Sequence, residues 1–258
     1  MARDVPAANR SRSTANAVDV LDLVADRPGI GLADLARRLE LSKSAAHRLV
    51  HTLLDSGYLR EGDGGSGYVL GYRLIALGRA AEKANPLGEL AAGPMRALRD
   101  DVNETVHLAV LEGDAALYVE KVESTQVLRH WTRLGEPLPL HCGAAAKCLA
   151  AFAFDPARLA ELLRPQDPLP RYTDQTITHL DDLLAELERI RTAGFAVSRS
   201  EQYEGVTGIA APLYRPGDRG RAIAAVSLAG PSTRFSDAAV EEWSAKLRAT
   251  AHEIEQRL

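Results

Sequence analysis

The residues best placed to do chemistry lie on one stretch of the chain. Ser44, His47, Arg48 and His51 recur at i, i+3, i+4 and i+7, the spacing of one helical face. Ala46, Leu49, Val50 and Leu53 repeat that spacing two positions on, which puts an apolar stripe about 200° around the same helix. One face is committed to a core and the opposite face is free to meet a partner. Its residue types suit DNA. Ser42 is a good N-cap, and Ser42, Lys43 and Ser44 stand where unpaired N–H groups and the helix dipole favour phosphate. His47 and Arg48 can reach base edges, where arginine bidentate to guanine is the commonest specific contact. Arg37 and Arg38 add positive charge just upstream. The plain alternative is the solvated polar face of a small helical bundle.

The elements around this helix give it a context. Ala17, Val20, Leu21 and Val24 form an apolar stripe that predicts a helix from Thr14, stopped by Arg27-Pro28-Gly29. A short second helix follows over 32–39, then a brief turn at Glu40-Leu41, and Gly57 ends the third helix. Tyr58-Leu59-Arg60 and Tyr68-Val69-Leu70-Gly71 flank a Gly/Asp-rich loop, a hairpin signal. Three helices and a hairpin in this order outline a winged helix-turn-helix, with Arg60 and Arg73 on the wing near the phosphate backbone. Residues 1–13, with Arg3, Arg10 and Arg12, read as a flexible basic arm, either a tail or a minor-groove contact. Residues 14–72 are the expected DNA-binding domain and 73–86 a linker helix. Residues 87–258 form a second domain.

In that second domain helices and strands alternate. A helix runs to about residue 101, and strands are expected at 105–111, 115–122 and 127–132. An Ala-rich helix covers about 144–154, and another opens at Asp155-Pro156. A helix at 180–193 ends at Gly194, strands follow at 195–198, 207–214 and 222–228, and a closing helix covers 235–258. The mixture predicts an α+β domain built on one sheet. Cys142 and Cys148 are six apart, unlike common zinc spacings, and cysteine usually packs. His107 alternates with apolar neighbours and reads as a core or pocket-edge residue. Trp131 either caps a ligand or fills the core. A rival reading makes this domain an enzyme using Cys142 or His107, with the N-terminal bundle as an interaction module.

Composition bounds these readings. The chain has 258 residues, 46% hydrophobic and 26% charged, which is a globular composition with room for two domains. A net charge of −4 gives no global footprint for nucleic acid, so local clustering must carry that argument. No apolar run approaches the roughly 20 residues that span a bilayer, and the N-terminus has no apolar core of a secretory signal. Two cysteines make neither a disulfide framework nor a four-thiolate zinc site. The expectation is a cytoplasmic protein with no metal and no cofactor.

The run from Leu35 to Leu49, with Ala36-Arg37-Arg38-Leu39-Glu40-Leu41-Ser42-Lys43-Ser44-Ala45-Ala46-His47-Arg48 between them, resembles the DNA-binding helices of IclR-type transcriptional regulators. Leu53, Gly57-Tyr58-Leu59 and Tyr68-Val69-Leu70-Gly71 are similar to that family's wing. The likeness continues through Glu104–Val110, Val119–Ser124, Leu138-Pro139-Leu140-His141 with Lys147, Gly208–Pro212 and Val226–Pro231. It spans about residues 14–258. The resemblance implies a dimeric or tetrameric regulator, a repressor rather than an activator, that binds a palindrome-like operator. Its C-terminal domain, GAF-like by the same resemblance, would bind an organic acid or aromatic metabolite. The positions matching the family's effector pocket are Val127, His130, Ala144, Ala145, Ser198, Val206, Gly208, Ser227 and Ala229. Free N–H groups at Ala144 and Ala145 would attract a carboxylate, Ser198 and Ser227 would supply hydroxyls, and Val127 and Val206 an apolar wall. Ser198-Arg199-Ser200 replaces the acidic residues common there, and Gly208 and Gly143-Ala144-Ala145-Ala146 are small. These departures imply a less acidic, roomier pocket and a larger or more anionic effector.

Overall fold

The computed structural model describes residues 11–65, 67–84 and 86–258. Contacts divide the chain into two compact units, Met1–Asn85 and Pro86–Leu258. Most of the expected basic arm, residues 1–10, lies outside the described residues; its last part is helical, because the first helix already begins at Arg12.

The first unit is built from α1 (Arg12–Asp26), α2 (Leu32–Arg38), α3 (Lys43–Asp55), the hairpin strands β1 (Leu59–Glu61) and β2 (Tyr68–Leu70), and α4 (Arg73–Ala84). Its core holds the apolar stripes of the sequence: Val20 and Val24 from α1, Leu35 and Ala36 from α2, Ala46, Val50 and Leu53 from α3, and Leu59 from β1. Glu40 takes a left-handed backbone (φ 53°) in the turn between α2 and α3. The wing is tied to the helices as well as to itself, since Ile30 pairs with Tyr68 and Gly29 N–H donates to the Tyr68 carbonyl at 2.8 Å. That close approach requires Gly67, where a Cβ would stand 2.1 Å from the Gly29 carbonyl oxygen.

The second unit contains α5 (Leu87–Val102), β3 (Thr105–Glu112), β4 (Ala115–Val122), β5 (Pro137–Leu138), α6 (Ala144–Phe152), α7 (Pro156–Leu163), α8 (Leu180–Ala193), β6 (Ala196–Arg199), β7 (Val206–Leu213), β8 (Ala224–Pro231) and α9 (Asp237–Glu255). The strands form one antiparallel sheet in the order β5-β4-β3-β8-β7-β6. Alternation divides its two faces. Val106, Leu108, Ile209, Ala211, Val226 and Leu228 pack with α5 and α9. Ala109, Ala116, Ala196, Ala210 and Ala225 face α6, α7 and α8. Small residues on that second face, met by the alanines of α6, let helix and sheet approach closely.

The expected strand over 127–132 does not form. Between β4 and β5 the chain is a loop, and Val127, Leu128 and Trp131 are exposed, so β-prone residues there have no face to bury. Side chains take its carbonyls in place of a ladder: Lys121 Nζ donates to Thr132 O at 3.0 Å and Arg234 Nη2 to Leu128 O at 3.1 Å. The closing helix is also shorter than expected, because Ser236 caps it by accepting from Ala239 N–H at 3.2 Å.

Candidate functional site

In the first unit α3 presents the two faces its sequence implies. Ser42 is the N-cap, and its Oγ accepts from Ala45 N–H at 3.2 Å. Ser42, Lys43, Ser44, His47 and Arg48 are all exposed, while Ala46, Val50 and Leu53 are buried behind them. His51 continues the exposed stripe, its ring 4.1 Å from that of His47. Lys43 and Arg48 form no ion pair among the described residues, so both cations remain available to an anionic partner. The first turn of α3 contains no acidic residue to compete for its N–H groups.

The neighbouring cations are more engaged than the sequence suggested. Asp34, on α2, pairs with both Arg37 and Arg38, with Arg38 Nε donating at 3.2 Å. Arg60 does not extend freely from the wing: its guanidinium lies over the Tyr72 ring at 5.3 Å and 3.7 Å from Asp63. Arg73 covers the Tyr58 ring at 5.5 Å. The basic surplus is therefore concentrated at the start of α3.

In the second unit a recess opens between the start of α6 and the sheet. His130, Ala144, Ala145, Ser198, Val206, Gly208, Ser227 and Ala229 line it together, as the sequence reading grouped them. Val127 does not; it is fully exposed on the loop, because the strand that was to carry it is absent. Tyr118, Gly143, Gln202, Tyr203 and Leu228 complete the lining and were not anticipated. Tyr118 comes from β4, and Gln202 and Tyr203 come from the bend between β6 and β7. Only the strand order and that bend bring them to the recess.

The recess is tighter than the small residues implied. Its cavity is small, about 30 Å³, and opens to solvent. Gly208 explains the tightness: a Cβ there would stand 3.3 Å from Ala144 Cβ. The missing side chain brings α6 down on β7 and does not enlarge the cavity. His130 and the half-exposed Tyr203, whose rings are 5.3 Å apart, flank the recess.

The electrostatics at the start of α6 are set by an ion cluster. Lys147 is wholly buried, with Nζ 2.6 Å from Glu201 Oε1 and 3.1 Å from Glu186 Oε1. Glu201 also accepts from Gly143 N–H at 3.3 Å. Burial holds the Glu201 carboxyl above its ordinary range, against the pull of Lys147. No side chain caps α6, so the N–H groups of Ala144 and Ala145 face the recess without one. On β3, His107 is fully buried and driven down to about 3, first by burial and then by the charges of His130 and Lys121. Its Nε2 pairs with Thr132 Oγ1 at 2.8 Å, while Nδ1 has no partner.

Burial pushes the Cys142 thiol up to about 12 and raises Cys148 as well. Both are protonated at neutral pH and offer no thiolate nucleophile.

Two sequence profiles match the chain. One described as the IclR helix-turn-helix domain covers residues 13–63, and one described as the C-terminal domain of the bacterial transcriptional regulator IclR covers residues 80–256. The HTH-type transcriptional regulator BhcR of Paracoccus denitrificans is 32% identical over 243 residues, 94% of this chain and 86% of that one. KdgR of Escherichia coli is 32% identical over 240 residues, 93% of this chain and 89% of that one. Among solved structures, Thermotoga maritima IclR superposes with a TM-score of 0.78 at 29% identity, covering 95% of this chain and 98% of that one. An IclR homolog from Microbacterium hydrocarbonoxydans, complexed with 4-hydroxybenzoate, superposes with a TM-score of 0.81 at 29% identity and the same coverage.

Proposed function

The chain belongs to the IclR family of bacterial transcriptional regulators, and from that premise we propose that it is an operator-binding repressor whose α3 reads DNA and whose recess takes a small organic acid or aromatic effector. The family consists of DNA-binding regulators with an effector-binding domain, not of enzymes. The observation that carries the reading is the exposed row Ser42, Lys43, Ser44, His47 and Arg48 at the capped start of α3, backed by a buried apolar stripe. Ser42, Lys43 and Ser44 hold phosphate, His47 and Arg48 read base edges, and Arg38 and Arg60 contact the backbone from either side. Residues 14–72 form the DNA-binding domain, 73–86 the linker helix and 87–258 the effector-binding domain. No helix among the described residues is long and apolar enough to cross a membrane.

A palindrome-like operator requires at least two copies. Support for a homodimer, or a tetramer built from it, comes from α4, which buries none of its residues and exposes Ile75 and Leu77 beside an exposed Tyr72. The effector lies in the recess against His130, Ala144, Ala145, Ser198, Val206, Gly208, Ser227 and Ala229. Its binding changes operator affinity, and by linkage the operator changes effector affinity by the same factor.

The test is binding of the purified chain to the DNA upstream of its own gene, against a scrambled duplex, across a salt series. Specific binding that falls steeply with salt supports the reading. Equal weak binding to both duplexes, with no specific fragment recovered from the whole genome, overturns it.

A further inference from the structure

We infer that the second unit carries a second ligand site, at the end of α6 remote from the recess, and that this site takes a phosphate monoester bearing a flat aromatic ring. It goes beyond the effector site and does not rest on it.

The site is a cavity of about 290 Å³ that opens to solvent, against about 30 Å³ in the recess. Its size is close to the roughly 300 Å³ at which small-molecule pockets begin. One wall is a single face of α9, where Arg248, His252 and Glu255 recur at i, i+4 and i+7. Phe152 at the end of α6, Tyr214 just past β7 and Arg219 from the connection between β7 and β8 stand around it. The recess lies at the opposite ends of the same elements. Ala144 and Phe152 are about 12 Å apart along α6, and Gly208 and Tyr214 about 20 Å apart along β7. No residue lines both cavities, so both can be filled at once.

The rim carries more positive charge than its one carboxylate uses. Glu255 is buried and already engaged: it accepts from the Tyr214 N–H at 2.9 Å, and Arg219 Nη2 and His252 Nδ1 each stand 3.4 Å away. Arg219, Arg248 and His252 are all exposed. Arg248 forms no ion pair among the described residues; its guanidinium lies over the Phe195 ring at 5.4 Å, a contact that holds the cation without a carboxylate. Two guanidiniums and an imidazole therefore surround one carboxylate. A phosphate monoester, with three terminal oxygens and up to two charges, matches that donor set better than the two oxygens of a carboxylate, and arginine meets phosphate through two parallel bonds.

The floor between these cations is aromatic. The Phe152 and Tyr214 rings meet edge to face with centroids 6.5 Å apart, and both are only half-buried. Arg219 already lies over the Tyr214 ring at 5.5 Å. Covering this floor with a flat ring removes apolar surface from water and adds an aromatic contact. The anionic head and the ring thus have separate partners, and neither half of the ligand should suffice alone.

The experiment is calorimetric titration of the full-length chain with phenyl phosphate, inorganic phosphate and phenol. Phenyl phosphate should bind at least about 10-fold more tightly than either of the others. Arg248→Gln and Arg219→Gln, both surface changes, should each weaken phenyl phosphate about 10-fold or more. Tyr214→Leu should weaken it about 5-fold and leave inorganic phosphate unchanged. Urea unfolding checks that each variant is folded. The inference is overturned if phenyl phosphate does not bind, if inorganic phosphate or phenol binds as tightly, or if binding survives both arginine variants. Binding lost in Gly208→Val but kept in Arg248→Gln would put the ligand in the recess and overturn it as well. None of these outcomes touches the operator reading, which is tested on DNA.

Discussion

Replacing Lys147 with methionine should cost the second unit about 3–5 kcal/mol, the range for removing one partner of a buried ion pair. Lys147 has no exposed surface, and its ammonium lies 2.6 Å from Glu201 and 3.1 Å from Glu186. Methionine keeps most of the stem's volume, so the loss is electrostatic and little cavity forms. Glu186 retains Arg189 at 2.8 Å. Glu201, whose side chain is 10% exposed, keeps two neutral donors, the Gly143 N–H and the Ser198 hydroxyl. One buried carboxylate is left without a cation. For a unit of this size the cost corresponds to a fall in Tm of about 6–20 °C. The pH dependence follows from burial, which already raises the Glu201 carboxyl and raises it further once Lys147 is gone. A carboxyl whose folded pKa exceeds its unfolded value stabilises below the unfolded value, and that contribution is lost as pH rises through the folded pKa. The deficit should therefore be smallest in acid and grow toward neutrality. Urea unfolding of Lys147→Met, Glu201→Gln and the double variant between about pH 5 and about pH 8 reads this out. The double variant should recover most of the loss, since no charge is then stranded. A single variant within about 1 kcal/mol of wild type, or a deficit that grows on acidification, would refute the reasoning.

Three further perturbations probe other parts of the account. Ser42→Ala removes the acceptor for Ala45 N–H and should cost the first unit about 1 kcal/mol in urea unfolding; no change would mean that the cap does not hold α3. His107 stays neutral to about pH 3, whereas the unfolded chain protonates it near 6.5. Stability should therefore fall as pH drops from about 6.5 toward about 3, by up to about 1.4 kcal/mol per pH unit, and His107→Gln should remove that part of the slope. A His107 resonance titrating near pH 6 would contradict it. Gly208→Val puts a Cβ 3.3 Å from both Ala144 Cβ and the Leu228 carbonyl oxygen. We expect about 1–3 kcal/mol of overpacking and loss of the ligand's effect on DNA affinity, measured by fluorescence anisotropy with and without ligand.

The helices were legible because their apolar residues repeat at helical spacing and their ends carry recognisable signals. Ser42 and Gly194 stand at two of those ends, and α8 spans Leu180–Ala193 as its pattern predicts. Strands β3 and β4 were legible from alternation. The segment 127–132 misled because its apolar residues pattern like a strand, yet the fold gives them nothing to pack against. Local charge was misread for a related reason: Asp34 lies one turn from Arg37 and Arg38, and its pairing with both depends on helical geometry as well as composition. The recess was only partly legible. Gly208 and the alanines of α6 mark where helix meets sheet. Tyr118 and Ser227 depend on β8 returning beside β3 after more than a hundred residues, a tertiary event no local pattern encodes.

The most direct test of the central claim is selection of bound fragments from a random duplex library, run with the intact chain and with Arg48→Ala. If α3 of two associated copies reads DNA, the selected sequences should share a palindrome-like motif. Its half-sites should be centred about one helical turn, roughly 34 Å, or a multiple of that apart. Arg48→Ala should lose about 1–3 kcal/mol at the base it contacts and relax selection there. No enriched motif, or the same motif enriched equally by Arg48→Ala, would contradict the assignment of Arg48 and α3 as the reading surface.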